Sequence, residues 1–282
     1  MNLTKTKIVV DSSSDILSLD GVLFASAPLK ISTSEKTYVD DPALDVEGMV
    51  RDLRSYSGRS TTSCPNTEDY LEAFGDAEEI FCITITATLS GSYNSASLAA
   101  RAYVEAHPDR RVHVINSLST GPEMKLIVEK LVEYIKEELD FDEGVRRITE
   151  YSGSTGLLFM LESLKNLANN GRVSPLVAKV AGILGIRVVG RASDRGDLEQ
   201  LAKSRGEKKA VETVFEKLCD LGYRGGKLRI SSCLGESAAS ALAKAVKESY
   251  PDADVEIYPC RGLCSFYAEM GGMLVGFEKG RV

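Results

Sequence analysis

Glu79-Ile80-Phe81-Cys82-Ile83-Thr84-Ile85, then an alanine-rich run from Ser95 to Ala106, then Arg111-Val112-His113-Val114-Ile115: these consecutive stretches decide the fold. The two apolar, β-branched runs have the length of buried strands, and the stretch between them places leucine and valine at helical spacing. A strand, a helix and a strand so spaced form a βαβ unit, which calls for a parallel sheet. Upstream, Lys7 to Val10 predicts another buried strand, ended by the polar turn Asp11-Ser12-Ser13-Ser14-Asp15.

Downstream, an amphipathic stretch from Pro122 to Leu139 and a second from Asp142 to Ser152 predict helices. After Gly153 the pattern changes. A short strand (Leu157 to Met160) and a small helix lead to Lys165-Asn166-Leu167-Ala168-Asn169-Asn170-Gly171-Arg172. An apolar helix from Leu176 to Leu184, a strand from Ile186 to Val189 and a Lys/Glu-rich helix from Glu207 to Cys219 follow. Leu228 to Ser231, Ser237 to Ser249 and Val255 to Tyr258 form another strand–helix–strand unit, and Gly271 to Gly276 reads as a closing strand. The expectation is an α/β protein of two lobes. Residues 1–153 form a lobe with a mainly parallel sheet flanked by helices, and residues 154–282 form a second α/β lobe.

The totals limit the function. At 282 residues, 43% hydrophobic and 27% charged, the chain resembles an ordinary globular protein. A net charge of −7 argues against a general nucleic-acid binder, and any anionic ligand must be attracted locally by particular arginines or helix ends. The apolar run Ile8-Val9-Val10 is too short for a signal peptide, and no segment reaches the ~18 uninterrupted apolar residues of a membrane span. A cytoplasmic protein with reduced thiols is expected. Cys260 and Cys264 have no matching Cys or His pair nearby, so no metal site is expected.

Standard catalytic signatures are missing. There is no Gly-x-Ser-x-Gly elbow, no phosphate-binding loop, since Gly225-Gly226-Lys227 runs into Leu228, and no dinucleotide fingerprint. Only His107 and His113 could serve a serine triad; the first precedes Pro108 at a helix end and the second sits in a predicted core strand. What remains are clusters of hydroxyls and small residues: Thr61-Thr62-Ser63-Cys64-Pro65, and Thr88-Leu89-Ser90-Gly91-Ser92-Tyr93-Asn94-Ser95-Ala96 between a strand and a helix. Exposed N–H groups and short O–H donors at a helix start suit an anionic head group. Asp11 to Asp15 has the same placement after its own strand, though Asp and Ser there also serve as ordinary caps.

These residues carry a resemblance. Val9-Val10-Asp11-Ser12-Ser13-Ser14-Asp15, Thr61 to Pro65, Leu89 to Ala96, Val114-Ile115-Asn116-Ser117, and Leu164-Lys165-Asn166-Leu167 with Gly171-Arg172-Val173 resemble, in order and rough spacing, the motifs of the DegV family. The resemblance covers nearly the whole chain. It implies a two-domain DegV-like fold with a long-chain fatty acid held between the lobes, its acyl chain in an apolar tunnel. It also implies a non-catalytic partner of a separate, ATP-using fatty acid kinase subunit, with no cofactor besides the bound acid. Transient contact with a membrane surface stays open. By matched position, Thr62, Ser63, Ser90, Gly91 and Arg205 would hold the carboxylate, with Ser12, Ser92, Arg172, Arg261 and Glu269 as accessory candidates.

Three departures stand out. Cys64 replaces the family's usual glutamine, Asn116 its usual aspartate, and Tyr267-Ala268-Glu269 stands where a histidine precedes a glycine-rich segment. A carboxylate at Glu269 would oppose a carboxylate ligand unless protonated or turned away. Two rival readings remain: an acyl- or phosphoryl-transfer enzyme with Ser90 or Ser92 as nucleophile, and a carrier of a different amphiphile.

Overall fold

The computed structural model describes residues 1–174 and 185–280. From the N-terminus the chain runs β1 (Thr6–Asp11), a 3-10 turn (Ser12–Ser14), β2 (Leu23–Ala27), β3 (Lys30–Ser32), β4 (Thr37–Val39) and α1 (Val46–Ser55). Then come β5 (Thr61–Ser63), α2 (Thr67–Phe74), β6 (Glu79–Thr84), α3 (Ser92–Ala106) and β7 (Arg111–Asn116). Next are α4 (Pro122–Lys136), α5 (Phe141–Gly153), β8 (Thr155–Leu161) and α6 (Lys165–Asn169). The remainder is β9 (Ile186–Ala192), β10 (Leu198–Arg205), α7 (Glu207–Asp220), β11 (Tyr223–Ser232), α8 (Ser237–Ser249), β12 (Val255–Pro259), α9 (Gly262–Ala268) and β13 (Met273–Lys279). The apolar helix expected from Leu176 to Leu184 lies outside the described residues.

The expected βαβ unit is β6–α3–β7, and it belongs to a wholly parallel sheet in the order β2-β1-β6-β7. Its apolar runs form strands because Ile8, Val9, Val10, Ile80, Phe81 and Ile83 are all fully buried between helices. A second sheet, in the order β10-β9-β8-β13-β11-β12, is antiparallel except at β11–β12, which α8 joins as a parallel pair. A third, small sheet, β4-β3-β5, is antiparallel and contains Thr61–Ser63. That stretch is therefore a strand: Thr62 pairs with Ile31 of β3.

Helix α4 ties the two large sheets together. Its buried face (Met124, Ile127, Val128, Leu131, Ile135) packs into the core of the parallel sheet. Its other side is pinned to β11 by Arg229, only 5% exposed, which grips both Glu129 oxygens at 2.8 Å and Asp254 at 2.8 Å. A bidentate, mostly buried pair of this kind fixes geometry better than a solvated one. The start of α4 lies directly on β13, where a Cβ on Gly276 would come within 2.4 Å of the Pro122 backbone.

Replacing Gly276 by Ala should therefore destabilise the fold by about 1–3 kcal/mol, the usual cost of overpacking. Gly153→Ala, with nothing within 4 Å of the added methyl, should not destabilise it. Urea denaturation of the two variants checks the pair, and equal stabilities would refute the close approach of α4 to β13.

Candidate ligand cavity

Between the sheets lies a cavity of about 250 Å³. One wall is β8, whose Leu157, Phe159 and Leu161 point into it from alternate positions of one strand face. The opposite wall comes from the loops after β6 and β7, through Ile85, Leu89 and Thr120. Leu274 of β13 and Leu263 of α9 close it further. These surfaces are overwhelmingly apolar, which suits a hydrocarbon.

The polar groups gather at one end. Thr62 Oγ1 and the Tyr267 hydroxyl hydrogen bond to each other at 2.7 Å. Tyr267 is pushed above its ordinary pKa by burial, an effect opposed by the Thr62 hydrogen bond and by the positive charge of Arg172. Arg172 donates from Nε to the Leu89 carbonyl at 3.2 Å and from a terminal nitrogen to the Asn170 carbonyl, and its own N–H is held by the Leu167 carbonyl. Next to Leu89, Ser90 Oγ accepts the Ser92 N–H at 3.2 Å and donates to Ser92 Oγ at 3.3 Å. Gly91 is the N-cap residue of α3, and a Cβ there would sit 3.0 Å from Cys64 Sγ, so the Ser90 turn abuts the Thr62 strand. Among the described residues no carboxylate forms an ion pair with Arg172. Its hydrogen bonds go to neutral carbonyls, so among the described residues the mouth of the cavity carries an unneutralised positive charge.

The structure thus brings together Thr62, Ser63, Ser90, Gly91 and Arg172. It does not bring Arg205 to them. Arg205 is the exposed last residue of β10 and does not line the cavity, whose β10 contribution is Leu198. Ser92 is fully buried behind Ser90. Glu269 is turned away: its carboxylate accepts the Ser163 hydroxyl at 2.9 Å and the Asn166 N–H at 3.1 Å, near the start of α6. Tyr267, missing from the sequence-derived set, carries the hydroxyl on this side. Its signal was its place in the altered Tyr267-Ala268-Glu269 segment. Among the described residues no group of three or more His, Cys, Asp or Glu side chains could hold a metal ion.

The Asp11 to Asp15 turn is buried and builds the cavity without lining it. Asp11 accepts the Ile85 N–H at 2.9 Å, fixing the loop after β6. Ser12 Oγ accepts the Leu29 N–H at 3.0 Å. Asp15 accepts the Arg261 N–H at 2.8 Å, and Arg261 donates through its guanidinium to the Asp41 carbonyl at 2.7 Å. Asp40 then holds the N–H groups of Gly262 and Leu263 at 2.9 and 2.8 Å. Ser12 and Arg261 therefore work in the scaffold. Burial raises the Asp11 carboxyl to about 6, against hydrogen bonds from Ser13, Ile85 and Ser92. Burial raises Asp15 to about 7, with the Arg261 N–H opposing and the Asp40 charge adding to the rise.

Two sheets of different construction closing on an apolar cavity with a cationic, hydroxyl-lined mouth define an α/β protein built to bind a small amphiphile. Residues 5–279 match the model of the family described as "Uncharacterised protein, DegV family". The chain belongs to the DegV family. It is 45% identical over 276 residues to a DegV domain-containing protein of Streptococcus pneumoniae, covering 96% of this chain and 98% of that one. A DegV family protein from Eubacterium eligens, solved loaded with heptadecanoic acid, is similar at TM-score 0.96 and 46% identity over 98% of this chain and 100% of its own. The S. pneumoniae Fatty Acid Kinase (Fak) B3 protein, solved loaded with linoleic acid, is similar at TM-score 0.96 and 44% identity over 98% and 100% of the two chains. The two-domain DegV-like architecture expected from the motifs is therefore the fold of this protein.

The Asp15 burial has a pH signature. An acid raised in the folded state from 3.8 to about 7 binds its proton more tightly when folded, so its contribution to stability falls as pH rises between those values. Asp15→Asn keeps the acceptor for Arg261, and asparagine tolerates the left-handed backbone at this position (φ 60°). Urea denaturation should show Asp15→Asn gaining stability relative to the wild type from pH 5 to pH 7.5. A gap that does not change with pH would rule out the buried, protonated Asp15.

Proposed function

We propose that this protein binds a long-chain fatty acid without catalysing a reaction on it, and presents the carboxylate to a separate ATP-using kinase subunit. The observation that carries the reading is an apolar cavity whose one polar end holds an arginine with no carboxylate partner among the described residues. A fatty acid matches both halves. Its carboxylate takes the place beside Arg172, Thr62, Ser90 and Tyr267, and its chain lies along the β8 face. Each buried methylene contributes about 0.8 kcal/mol, so the hydrocarbon supplies most of the affinity and the polar end sets orientation. The two relatives solved with heptadecanoic and linoleic acids support the ligand class, and the name of the second supports the kinase partnership. The lobes are taken to part at residues 153 and 154, and a cytoplasmic location belongs to the same reading.

The serine-nucleophile reading lacks a base. Ser90 bonds only to Ser92 among the described residues. His107 meets Tyr103 edge-on at the far end of α3, whose 15 residues span ~22 Å, and His113 of β7 packs against Phe81 of β6.

Purified protein, extracted with organic solvent and followed by native mass spectrometry, should release and retake a long-chain fatty acid. Arg172→Met should weaken uptake about tenfold to a hundredfold, the range of a lost charge-assisted hydrogen bond, while Thr62→Val and Tyr267→Phe weaken it less. Protein that neither carries nor takes up any fatty acid would sink the proposal. Turnover of an activated ester that Ser90→Ala abolishes would favour the enzyme instead.

A further inference from the structure

A second cleft, of about 530 Å³, lies next to the acyl cavity. The inward face of β8 relates the two. Thr155, Leu157, Phe159 and Leu161 occupy alternate positions on that face. Thr155 lines only the second cleft, Phe159 and Leu161 line only the acyl cavity, and Leu157 lines both. Leu157 is 3% exposed and stands between them.

Leu157 also stands at the deep end. It pairs with Gly276, against which the start of α4 packs, and the cavity residue Thr120 lies just before that helix. The polar mouth is at the other end, where Leu161 leads through Leu167 to Arg172. Beyond Leu157 the surroundings become polar. The buried Glu123 carboxylate accepts the Thr155 hydroxyl at 2.8 Å, and Asn116, Arg191 and Lys279 line the same cleft. A hydrocarbon tail gains nothing by displacing water from such groups.

We infer that Leu157 is the end stop of the acyl cavity and sets the longest chain this protein accepts. The inference deepens the fatty-acid reading and rests on it. A methyl terminus that reaches Leu157 is fully buried, and further methylenes must either fold back or push this side chain into the second cleft. Shortening Leu157 joins the two spaces, and enlarging it moves the stop towards the mouth.

The test loads delipidated protein with an equimolar mixture of hexadecanoic and eicosanoic acids and reads the bound ratio by native mass spectrometry. Leu157→Ala should raise the ratio of eicosanoic to hexadecanoic acid about tenfold, since one or two methylenes filling the space vacated by the leucine side chain are each worth roughly fourfold. Leu157→Phe should lower that ratio, and it keeps the inference testable if the alanine variant does not fold. Leu161→Ala, on the same strand face at the mouth, should weaken both acids and leave their ratio unchanged. Leu157 variants that bind with the wild-type ratio would overturn the end stop while the fatty-acid reading stands. A wild-type protein that takes up neither acid would overturn that reading, and the end stop with it.

Discussion

The grip of two buried carboxylates on the start of α9 is the constraint on which the rest of the site depends. Asp40, from the loop after β4, accepts the N–H groups of Gly262 and Leu263, and Asp15 accepts that of Arg261. A helix start leaves such N–H groups without partners, and a carboxylate there is favoured by the helix dipole. The approach is so close that a Cβ on Gly262 would lie 2.5 Å from Asp40 Oδ1, which explains the glycine. This grip fastens the C-terminal segment to the N-terminal part of the chain and sets the rotation of α9. From that rotation follows the meeting of Tyr267 with Thr62, on an element more than 200 residues away. Among the described residues Asp15 Oδ2 is buried with no hydrogen-bond partner, which agrees with a carboxyl that burial raises to about 7.

The same geometry resolves a conflict of charge. A chain with net charge −7 repels an anion at long range, yet the cavity mouth attracts one because Arg172 is half-buried and bonded to carbonyls. Low local dielectric strengthens that attraction relative to the screened surface field. Glu269, the one acid that threatened it, spends its charge on Ser163 and Asn166. The hydroxyls of Thr62, Ser90 and Tyr267 then add direction. This division of labour needs no nucleophile and no base, in keeping with a binding role.

Much of the fold was legible in the chain. Buried parallel strands such as β1 and β6 read as continuous apolar runs, and α3, α4 and α8 show helical spacing. The strands that escaped notice are short or lie at edges. β3, β4 and β5 have three residues each, too few for a period of two, and β10 is an edge strand whose exposed side chains leave a mostly polar sequence. At the site, Thr62 and Ser90 were legible because hydroxyls cluster beside small residues. Arg172 was legible only as an accessory cation, and Arg205 ranked ahead of it. What separates them is tertiary: a carbonyl from Leu89 reaches Arg172, while β10 carries Arg205 out to solvent. Asp11, Ser12 and Asp15 look like ligand residues in one dimension. Their partners (Ile85, Leu29 and Arg261) lie far along the chain, and that distance hides their structural work.

The central claim is that an ionised carboxylate sits beside Arg172 at the end of an apolar cavity. Nuclear magnetic resonance of a long-chain fatty acid carrying carbon-13 at its carboxyl, bound to the protein and titrated with acid, addresses it directly. The bound carboxyl is expected to stay ionised to lower pH than a free one, and its apparent pKa to shift upwards in Arg172→Met. A bound carboxyl that titrates in the ordinary range and ignores the substitution would contradict it.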